Sequence, residues 1–281
     1  FCYDIINFIK KKFPEFFEEV DYKIVEISQN LIERQSSTLK GLEDKVSWES
    51  LSEDGFSFEP VIGSFLSNEF VDSLPVHQVV VENNCLKEIY VAIKDDKFCE
   101  VIDDLSDPAL EDYFAKSKIS LKEGQRAEVN LKALDWVKNI SRYLKRGFVI
   151  TIDYGYLAED LYSEQRHRGT LMCYYEHITS ENPYERVGSQ DITSHVNFSS
   201  LMEAGNRCGL NTTGFTRQSK FLIALGILDE MNKVQGDIGK LLTIKNLFLP
   251  GGMGDVFKVL IQHKGIDNPE LIGLRSMSEP G

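Results

Sequence analysis

The chain has 281 residues, of which 42% are hydrophobic and 27% charged, a balance typical of folded globular proteins rather than of disordered or fibrous ones. Its net charge of -13, from 31 basic and 44 acidic residues, excludes a general affinity for nucleic acid. The five cysteines are widely spaced and form no C-x-x-C pair, which favours a reducing compartment over a disulfide framework or a structural zinc site. No apolar run is long enough to span a bilayer, so we expect no membrane insertion.

The first 78 residues predict alternating helices and strands. The segment YDIINFIKKKF has a helical apolar stripe that Pro14 interrupts, and YKIVEIS is a β-branched strand followed by a helix that Ser28 can cap. The segments KVSWESL and PVIGSFLSNEF are further strands, the second of them an apolar run that we expect to be buried. This order predicts a parallel α/β sheet. Because the chain opens with Phe1 in what reads as the middle of a helix, we expect the native start to be missing.

Residues 79–130 have a different pattern. The segment QVVVENNCLKEIYVAIKDDKFCEVI alternates apolar and polar residues, with turn residues at Asn83-Asn84 and Asp95-Asp96. This pattern is typical of an antiparallel hairpin or a three-stranded meander. We therefore predict a β-rich insertion in the α/β core.

The core pattern resumes over residues 131–264. A helix (LKALDWVKNISRYL) precedes the apolar strand FVITIDYGY, and two late helices lead to the strand VFKVLIQHK. Between them, residues 157–197 are polar and poorly periodic, so we expect a long loop that is functional or mobile. We expect residues 265–281 to form a loosely held tail.

Acidic residues follow three of the predicted strands. Glu26, the Asn68-Glu69 pair and Asp153 each end an apolar run. Ligands of parallel sheets bind at the carboxyl ends of the strands, and an acid after the second strand commonly accepts a ribose hydroxyl. One such acid alone would be an ordinary water-facing residue, but three of them favour a ligand site.

Glu69 and Asp72 are three residues apart, which would place both carboxylates on one side of a helical turn. Paired carboxylates can hold an amine or cationic substrate and accept its proton. An equally good interpretation is the first turn of a helix, where acids are favourable.

The polar stretch supplies further candidates in GTLMCYYEH and GSQDITSHVNF, namely His177, Gln190, Asp191, Thr193 and His195. Two histidines without a third patterned ligand do not form a metal motif, and either can be structural. PGGMGD lacks the Lys-Ser/Thr of a phosphate loop and is most simply a turn, while RHRG (Arg166–Gly169) is most simply a basic surface patch.

Six segments together resemble a known family: IVEIS, NEFVDSLPVHQ, IDYGY, RGTLMCYYEH, GSQDITSHVNF and MGDVFKVL, in order from about Tyr22 to Leu260. The family is that of the MidA-type S-adenosylmethionine-dependent methyltransferases, which includes the mitochondrial complex I assembly arginine methyltransferase and its bacterial relatives. Each segment alone is weak evidence, but six in register are specific.

The resemblance implies an α/β fold with a class I methyltransferase Rossmann-like sheet of seven strands, mostly parallel with the last strand antiparallel. It also implies the β-rich insertion and extra C-terminal helices. The family has a glycine-rich loop between its first strand and first helix. Because this sequence starts inside that helix, residues 1–78 would lack the first strand and that loop.

The resemblance also implies roles for individual residues. The S-adenosylmethionine side would be Glu26, Ile27, Trp48, Glu49 and Asn68. The catalytic residues would be Glu69, Asp72, Asp153 and His195, with Glu69 and Asp72 clamping the substrate and Asp153 or His195 assisting proton loss. The substrate side would be His177, Gln190, Asp191 and Thr193. No metal is expected.

The function implied is dimethylation of a protein arginine in a subunit of the respiratory NADH dehydrogenase (complex I) during assembly. Two alternatives stay open: a methyltransferase for another amine or a small molecule, and a non-catalytic assembly chaperone on the same fold. The compartment would be the mitochondrial matrix in a eukaryote or the cytoplasm in a bacterium. A homodimer stays open as well.

Overall fold

The computed structural model describes residues 1–52, 55–176, 178–234, 236–249 and 251–275. The chain divides into two compact units, residues 1–60 and residues 61–281. Among the described helices, none combines the length and the apolar character that a membrane span requires.

The described residues of the first unit, 1–52 and 55–60, form three helices and four short strands. They are α1 (Cys2–Lys12), α2 (Pro14–Glu19), β1 (Tyr22–Val25), α3 (Gln29–Thr38), β2 (Val46–Glu49), β3 (Leu51–Ser52) and β4 (Gly55–Phe56). β1 and β2 pair in parallel, and β3 and β4 pair antiparallel. The apolar faces of the helices pack on β2 around Ile6, Phe17 and Leu39. As predicted, Ser28 caps α3, because its hydroxyl accepts a hydrogen bond from the Leu31 N–H at 3.4 Å.

The unit of residues 61–281 contains twelve strands among its described residues. They are β5 (Val61–Asn68), β6 (His77–Glu82), β7 (Cys85–Lys94), β8 (Lys97–Asp103), β9 (Arg126–Val129), β10 (Leu144–Tyr156), β11 (Met172–Tyr175), β12 (Ile178–Ser180), β13 (Asp191–Thr193), β14 (Val196–Asn197), β15 (Asn211–Arg217) and β16 (Phe257–Lys264). The α-helices are α4 (Ala109–Ser117), α5 (Leu131–Tyr143), α6 (Ala158–Leu161), α7 (Phe198–Arg207), α8 (Gln218–Ala224), α9 (Ile227–Lys233), α10 (Ile238–Phe248) and α11 (Met253–Val256).

The central sheet of this unit is organised around β10. β10 pairs in parallel with β5 and β14 and antiparallel with β16, and β15 pairs antiparallel with β16. The last strand, β16, therefore runs against β5, β10 and β15. This confirms the prediction of a mainly parallel sheet whose last strand is reversed.

β5 is more exposed than its apolar sequence predicted. The side chain of Ile62 is 76% exposed and that of Leu66 is 37% exposed. Among the described strands of this unit, β5 pairs only with β10, so it is an edge strand here. The expectation of a fully buried strand is therefore wrong for this unit.

Residues 77–129 form a four-stranded antiparallel sheet in the order β8-β7-β6-β9, one strand more than the predicted meander. The turn residues Asn83-Asn84 and Asp95-Asp96 all have φ between 51° and 58°, the left-handed geometry of two-residue hairpin turns. α4 covers one face of the sheet, with Leu110 and Phe114 packed against Val79 and Val129.

Residues 157–197 are not the long loop that the sequence predicted. They contain α6, a 3-10 turn at Glu164–Arg166, the antiparallel sheet β12-β11-β13, and β14. The prediction failed because these strands have only two to four residues, too few to show a period in the sequence.

A buried carboxylate helps to hold this segment. Glu128 on β9 accepts hydrogen bonds from the Thr170 N–H at 2.8 Å, the Thr170 hydroxyl at 2.9 Å and the Leu171 N–H at 3.3 Å. Gly169 has a φ of +80°, and a Cβ there would lie 2.2 Å from Glu128 Oε1. Glycine is therefore required at this position both by its conformation and by the closeness of the carboxylate.

The described part of the predicted tail is more closely held than expected. A 3-10 turn at Ile272–Leu274 contacts α8 and β15. Gly273 is buried, and a Cβ there would lie 2.3 Å from the ring of Phe221. This part of the tail therefore packs against the late helices.

Candidate active site

Glu26 lies between β1 and α3 with its carboxylate fixed by local hydrogen bonds. Oε1 accepts from the backbone N–H groups of Ile27 and Ser28, both at 2.9 Å, and Oε2 accepts from Gln35 Nε2 at 3.2 Å. Gln35 Oε1 in turn accepts from Trp48 Nε1 at 2.8 Å. Oε2 accepts only one of these bonds and can still accept another donor, such as a hydroxyl group. Ile27 is 86% exposed, which leaves an apolar surface directly beside this carboxylate.

Glu49 has a different environment, because it is already paired. Its Oε1 lies 3.2 Å from Lys23 Nζ, and its Oε2 accepts from the Ser57 hydroxyl at 2.6 Å. The Ser57 hydrogen bond and Lys23 hold the pKa of Glu49 below its usual value. Glu49 therefore has a structural ion pair, and Trp48 contacts Glu26 only through Gln35.

The residues after β5 form a tight turn rather than the predicted helical turn. Glu69 has a φ of +49°, and its N–H donates to the Ile152 carbonyl at 3.0 Å, which continues the pairing of β5 with β10. The Glu69 side chain is exposed and accepts from Asn68 Nδ2 at 3.1 Å, whereas Asp72 is only 5% exposed. The two carboxylates thus differ in exposure and the turn between them is not helical, so the prediction of a helical turn at Glu69 and Asp72 is wrong.

Asp153 near the end of β10 holds this turn. Its Oδ2 accepts from the N–H groups of Val71 at 3.0 Å and Asp72 at 3.3 Å, and its Oδ1 accepts from the Tyr154 N–H at 2.9 Å. Asp153 is fully buried, and burial, with the neighbouring Asp72 carboxylate, raises its pKa to about 7. The carboxylates that lie together are therefore Asp72 and Asp153.

Asp72 has spare hydrogen-bonding capacity. Its Oδ1 is buried and has no hydrogen-bond partner among the described residues. Burial raises the pKa of Asp72, and the hydroxyl of Tyr154 together with nearby backbone N–H groups opposes this. Burial and the contact with Asp72 also raise the pKa of Tyr154. A buried acceptor without a donor costs free energy, which a ligand N–H would recover.

His195 completes this cluster. Its ring centroid lies 5.4 Å from the rings of both Tyr154 and Tyr156. The backbone N–H of His195 donates to the Thr170 hydroxyl at 3.0 Å. Nδ1 is buried and lacks a partner within the described part of the chain. Burial, with Arg166 and Lys258 nearby, lowers the pKa of His195 to about 4, so the imidazole is uncharged at neutral pH.

The residues predicted for the substrate side fall into separate groups. Thr193 lies at the end of β13 and contacts the hydroxyl of Tyr154, so it belongs to the same cluster as Asp72 and His195. Gln190 Nε2 donates to the Asn182 carbonyl at 3.2 Å, and the exposed Asp191 pairs with Tyr174 across the sheet, so these two contacts lie outside the cluster. His177 lies outside the described residues.

The sequence did not lead us to predict four residues that lie in or beside this cluster: Tyr154, Tyr156, Arg166 and Lys258. The alternation in IDYGY could have identified the two tyrosines, because residues two apart on a strand lie on one face. Arg166 was interpreted as part of a surface patch, but its guanidinium lies 3.8 Å from the centroid of the Tyr156 ring. Within the described residues, no group of three or more His, Cys, Asp or Glu side chains could hold a metal ion.

The chain is similar in sequence and structure to known proteins. The family described as "Putative S-adenosyl-L-methionine-dependent methyltransferase" matches residues 1–216. A crystal structure of a COG1565 superfamily member from Burkholderia thailandensis, bound to S-adenosyl-homocysteine, is 32% identical, with a TM-score of 0.81 over 90% of this chain. A native crystal structure of a protein of that superfamily from the same organism gives the same three values.

The chain spans 66% and 68% of the lengths of these two proteins. No curated protein matches the sequence significantly. The family profile covers most of the chain, and the likeness to the two Burkholderia proteins extends over nine tenths of it. Both the predicted family resemblance and the predicted α/β methyltransferase fold are thereby confirmed. The chain belongs to this family of S-adenosylmethionine-dependent methyltransferases.

Proposed function

We propose that the protein transfers methyl groups from S-adenosylmethionine to an arginine nitrogen of a protein. We propose further that this protein is a subunit of the respiratory NADH dehydrogenase, and that it is methylated during assembly of the complex. The observation that carries the methyl transfer is the likeness, over 90% of the chain, to a relative that is bound to S-adenosyl-homocysteine. The arginine is supported by a less direct observation, the spare acceptor capacity of Asp72 and Glu69. Carboxylates suit the several N–H donors of a guanidinium group.

The residues around Glu26 fit the adenosine part of the cofactor. A preorganised carboxylate can accept from ribose hydroxyls, and the exposed Ile27 offers an apolar surface for the adenine ring. S-adenosylmethionine supplies an electrophilic methyl group on a sulfonium. Trp48 helps to fix the Glu26 carboxylate, because it donates to Gln35, which in turn donates to Glu26. Glu49 stabilises the unit through its ion pair with Lys23. A cofactor contact by Asn68 stays a prediction.

The chain's own residues then bind the acceptor nitrogen and remove its proton. The exposed carboxylate of Glu69 binds the guanidinium. As the nitrogen lone pair forms the new N–C bond and the S–C bond breaks, the nitrogen proton passes to Asp72. The raised pKa of Asp72 favours this acceptance. Asp153 is a positioning residue, since its oxygens are occupied by backbone N–H groups. His195 contacts Tyr154 and keeps the proton acceptor shielded from water.

The backbone of Glu69 gives independent support for a role in function. A non-glycine residue with a φ of +49° is strained, and residues strained in this way cluster at functional sites, although they also occur in ordinary turns. The turn around Glu69 is stabilised by Asp153 and by the hydrogen bond from the Ser194 N–H to the Asp72 carbonyl at 3.1 Å. These contacts compensate for the strain and fix the direction of the Glu69 carboxylate.

Calorimetric titration of S-adenosylmethionine tests the first part of the proposal. We expect saturable binding, weakened by about tenfold or more in Glu26→Ala, on the scale of a lost hydrogen bond to a charged group. Glu33→Ala is the matched control, because Glu33 is exposed on α3 of the same unit. Equal affinity of both variants would remove Glu26 from the site, and the absence of binding by the folded protein would contradict the proposal.

Mass spectrometry tests the acceptor. Purified protein, S-adenosylmethionine and candidate NADH dehydrogenase subunits should give a mass increase on arginine. Methylation of a different amine would retain the methyltransferase and replace the arginine. Association with a subunit that persists in Glu69→Gln, without methylated product from either form, would instead support the chaperone alternative.

Two further parts of the proposal concern context. The compartment follows from the source, the mitochondrial matrix in a eukaryote and the cytoplasm in a bacterium, and cell fractionation would test it. A homodimer is the oligomeric state that we propose to test, with light scattering during size-exclusion chromatography. A mass equal to one chain at micromolar concentration would exclude it.

A further inference from the structure

A pocket of about 740 Å³ opens beside the proposed site, entirely within residues 61–281. Its walls come from the end of β10, the 3-10 turn after α6, the junction of β15 with α8, and the start of β16. Pockets of this size hold small organic ligands or the side chains of a bound peptide. None of the sequence predictions assigned a role to it.

The pocket has an unusual charge for this protein. Four basic side chains line it, against two acidic ones: Arg166, Arg217, Lys220 and Lys258, against Asp160 and Asp255. The whole chain has a net charge of -13, so a basic pocket is a local reversal of sign. Focused positive potential in a cleft attracts anions from solution.

Most of these cations have no acidic partner. Arg217 pairs with Asp255 at 3.3 Å, but the described residues place no carboxylate within 4 Å of the side-chain nitrogens of the other three cations. Arg166 Nη1 donates to the Asp160 carbonyl at 2.6 Å and to the Ser163 hydroxyl at 3.3 Å. Lys258 Nζ donates to the carbonyls of Asp255 at 2.5 Å and Val256 at 2.9 Å. The backbone thus orients these charges without neutralising them.

The free-energy cost of placing unpaired cations close together is evident at Lys258. Its side chain is only 9% exposed, and burial together with Arg217 lowers its pKa. Buried or crowded like charges are unfavourable unless an opposite charge joins them. An anion in the pocket would offset this repulsion.

The pocket also shares a wall with the cluster around Asp72. The Tyr156 ring contacts the Arg166 guanidinium at 3.8 Å, Lys258 Nζ at 5.5 Å and the His195 ring at 5.4 Å. His195 in turn contacts Tyr154, whose hydroxyl faces Asp72. The structure therefore has an acidic region and a basic region on either side of two tyrosines and a neutral histidine.

We infer that this pocket is an oxyanion site, and that it binds a phosphate or carboxylate group of the methyl acceptor whose nitrogen is held at Glu69 and Asp72. The acceptor thus carries both a positive and a negative group. The distance between these groups matches the width of the layer formed by the rings of Tyr154, His195 and Tyr156. This step rests on the proposed function, but binding of the oxyanion itself does not. The basic lining would repel a guanidinium, so the arginine of a protein acceptor lies at the acidic region, with an acidic group further along.

The first experiment measures the oxyanion site without any methyl transfer. Inorganic phosphate is titrated into the full chain at constant ionic strength and followed by amide NMR shifts, with sodium chloride as the reference. We expect saturable shifts that centre on the pocket. Affinity in the double variant Arg166→Gln/Lys220→Gln should fall by about tenfold or more, the scale of a lost charge-assisted hydrogen bond.

Lys116→Gln is the matched control, because Lys116 is an exposed cation on α4 away from the pocket, and its affinity should equal that of the wild type. Lys220→Glu alone, at an exposed position, is the second variant if the double variant folds poorly, and it should weaken phosphate binding as well. Phosphate shifts that do not saturate, or that are equal in all variants, would overturn the inference even if S-adenosylmethionine binds.

The second experiment separates the two sources of the oxyanion. Phenyl phosphate and a short Asp/Glu-containing peptide each compete with inorganic phosphate in the same titration. Stronger competition by the first indicates a phosphorylated acceptor, and stronger competition by the second an acidic segment of a protein. With the acceptor in hand, Arg166→Gln/Lys220→Gln should raise KM with little change in kcat, and a purely structural role would not produce that separation.

Discussion

The antiparallel sheet β8-β7-β6-β9 and the region around the end of β10 hold their charged side chains in opposite ways. On the sheet, Arg126 pairs with Glu100, Lys87 with Asp104 at 2.6 Å, and His77 with Glu88 at 2.7 Å. Around β10, Asp153 is bonded to backbone N–H groups and Lys258 to backbone carbonyls. Paired charges neutralise one another, whereas charges held only by backbone groups keep an uncompensated charge that acts on a ligand or on neighbouring groups.

This difference explains why the number of acidic residues says little about function. Two of the sheet's three pairs, Lys87–Asp104 and Arg126–Glu100, are partly exposed to solvent on both sides, whereas Glu88 of the third pair is buried. Exposed ion pairs contribute little free energy and are screened by salt. The acids and cations near β10 are partly desolvated, so each missing partner costs more there. Four measurements test whether paired and backbone-held charges differ in this way.

The largest effect is expected for Glu69→Gln. The variant keeps the size of the side chain but removes the charge that we place on the acceptor, so turnover should fall by about 100-fold or more, the scale of a lost general acid-base or binding group. Release of S-adenosyl-homocysteine is the readout, and affinity for S-adenosylmethionine should stay within a few-fold. Glu82→Gln, at the exposed end of β6, is the control and should be as active as the wild type. Unchanged turnover in Glu69→Gln would remove Glu69 from the reaction.

The second effect is a pH dependence of stability from Asp153. Its pKa is about 7 in the folded protein and near the ordinary value of about 4 when unfolded, so the folded state binds the proton more tightly. This contribution is fully present below about pH 4 and is lost as the pH rises to about 7, at no more than about 1.4 kcal/mol per pH unit.

Urea denaturation from pH 4 to 9 measures this, with Asp153→Asn as the reference because its side chain does not titrate. The free energy of unfolding of the wild type should decrease relative to that of Asp153→Asn as the pH rises towards 7, and the difference should level off above it. Because Asp72 titrates beside Asp153, the two carboxylates share this transition. A difference that is constant across the range would show that Asp153 titrates normally.

The third effect concerns Gly169, where the backbone holds a buried carboxylate in place. Gly169→Ala should lower the free energy of unfolding by about 2 kcal/mol or more, since it combines strain at a positive φ with displacement of a buried, hydrogen-bonded group. Gly188→Ala is a matched control, because Gly188 also has a positive φ but no atom within 4 Å of the added Cβ. The control should lose only about 1 kcal/mol. Equal losses would mean that Glu128 moves aside freely.

The smallest effect is expected at the paired charges of the sheet. Arg126→Gln removes the ion pair with Glu100, whose two side chains are 37% and 28% exposed. The free energy of unfolding should fall by about 1 kcal/mol or less, and by less still in high salt. Urea denaturation at low and high salt checks this. A loss of several kcal/mol would show that paired and backbone-held charges do not differ as the comparison requires.

Some features could be predicted from the sequence because they depend on local patterns. The capping of α3 by Ser28, the hairpin turns at Asn83-Asn84 and Asp95-Asp96, and the position of Asp153 near the end of an apolar strand all follow from neighbouring residues. The order of six short motifs was enough to identify the family. Periodicity and turn chemistry act over a few residues, and a single sequence displays them directly.

Other features were decided only by the tertiary structure. Asp72 lies beside Asp153, 81 residues away, rather than beside Glu69. The reason is that the Asp153 carboxylate near the end of β10 accepts hydrogen bonds from the backbone N–H groups of Val71 and Asp72. Arg166 was predicted to lie in a surface patch but lines the pocket. Lys258, which lies on β16 near the end of the sequence, lines the same pocket. Burial, pKa and charge balance depend on contacts between residues distant in sequence. Local sequence patterns therefore predict the fold class and the family, while long-range contacts in the folded chain determine which charges pair and which stay free to bind a ligand.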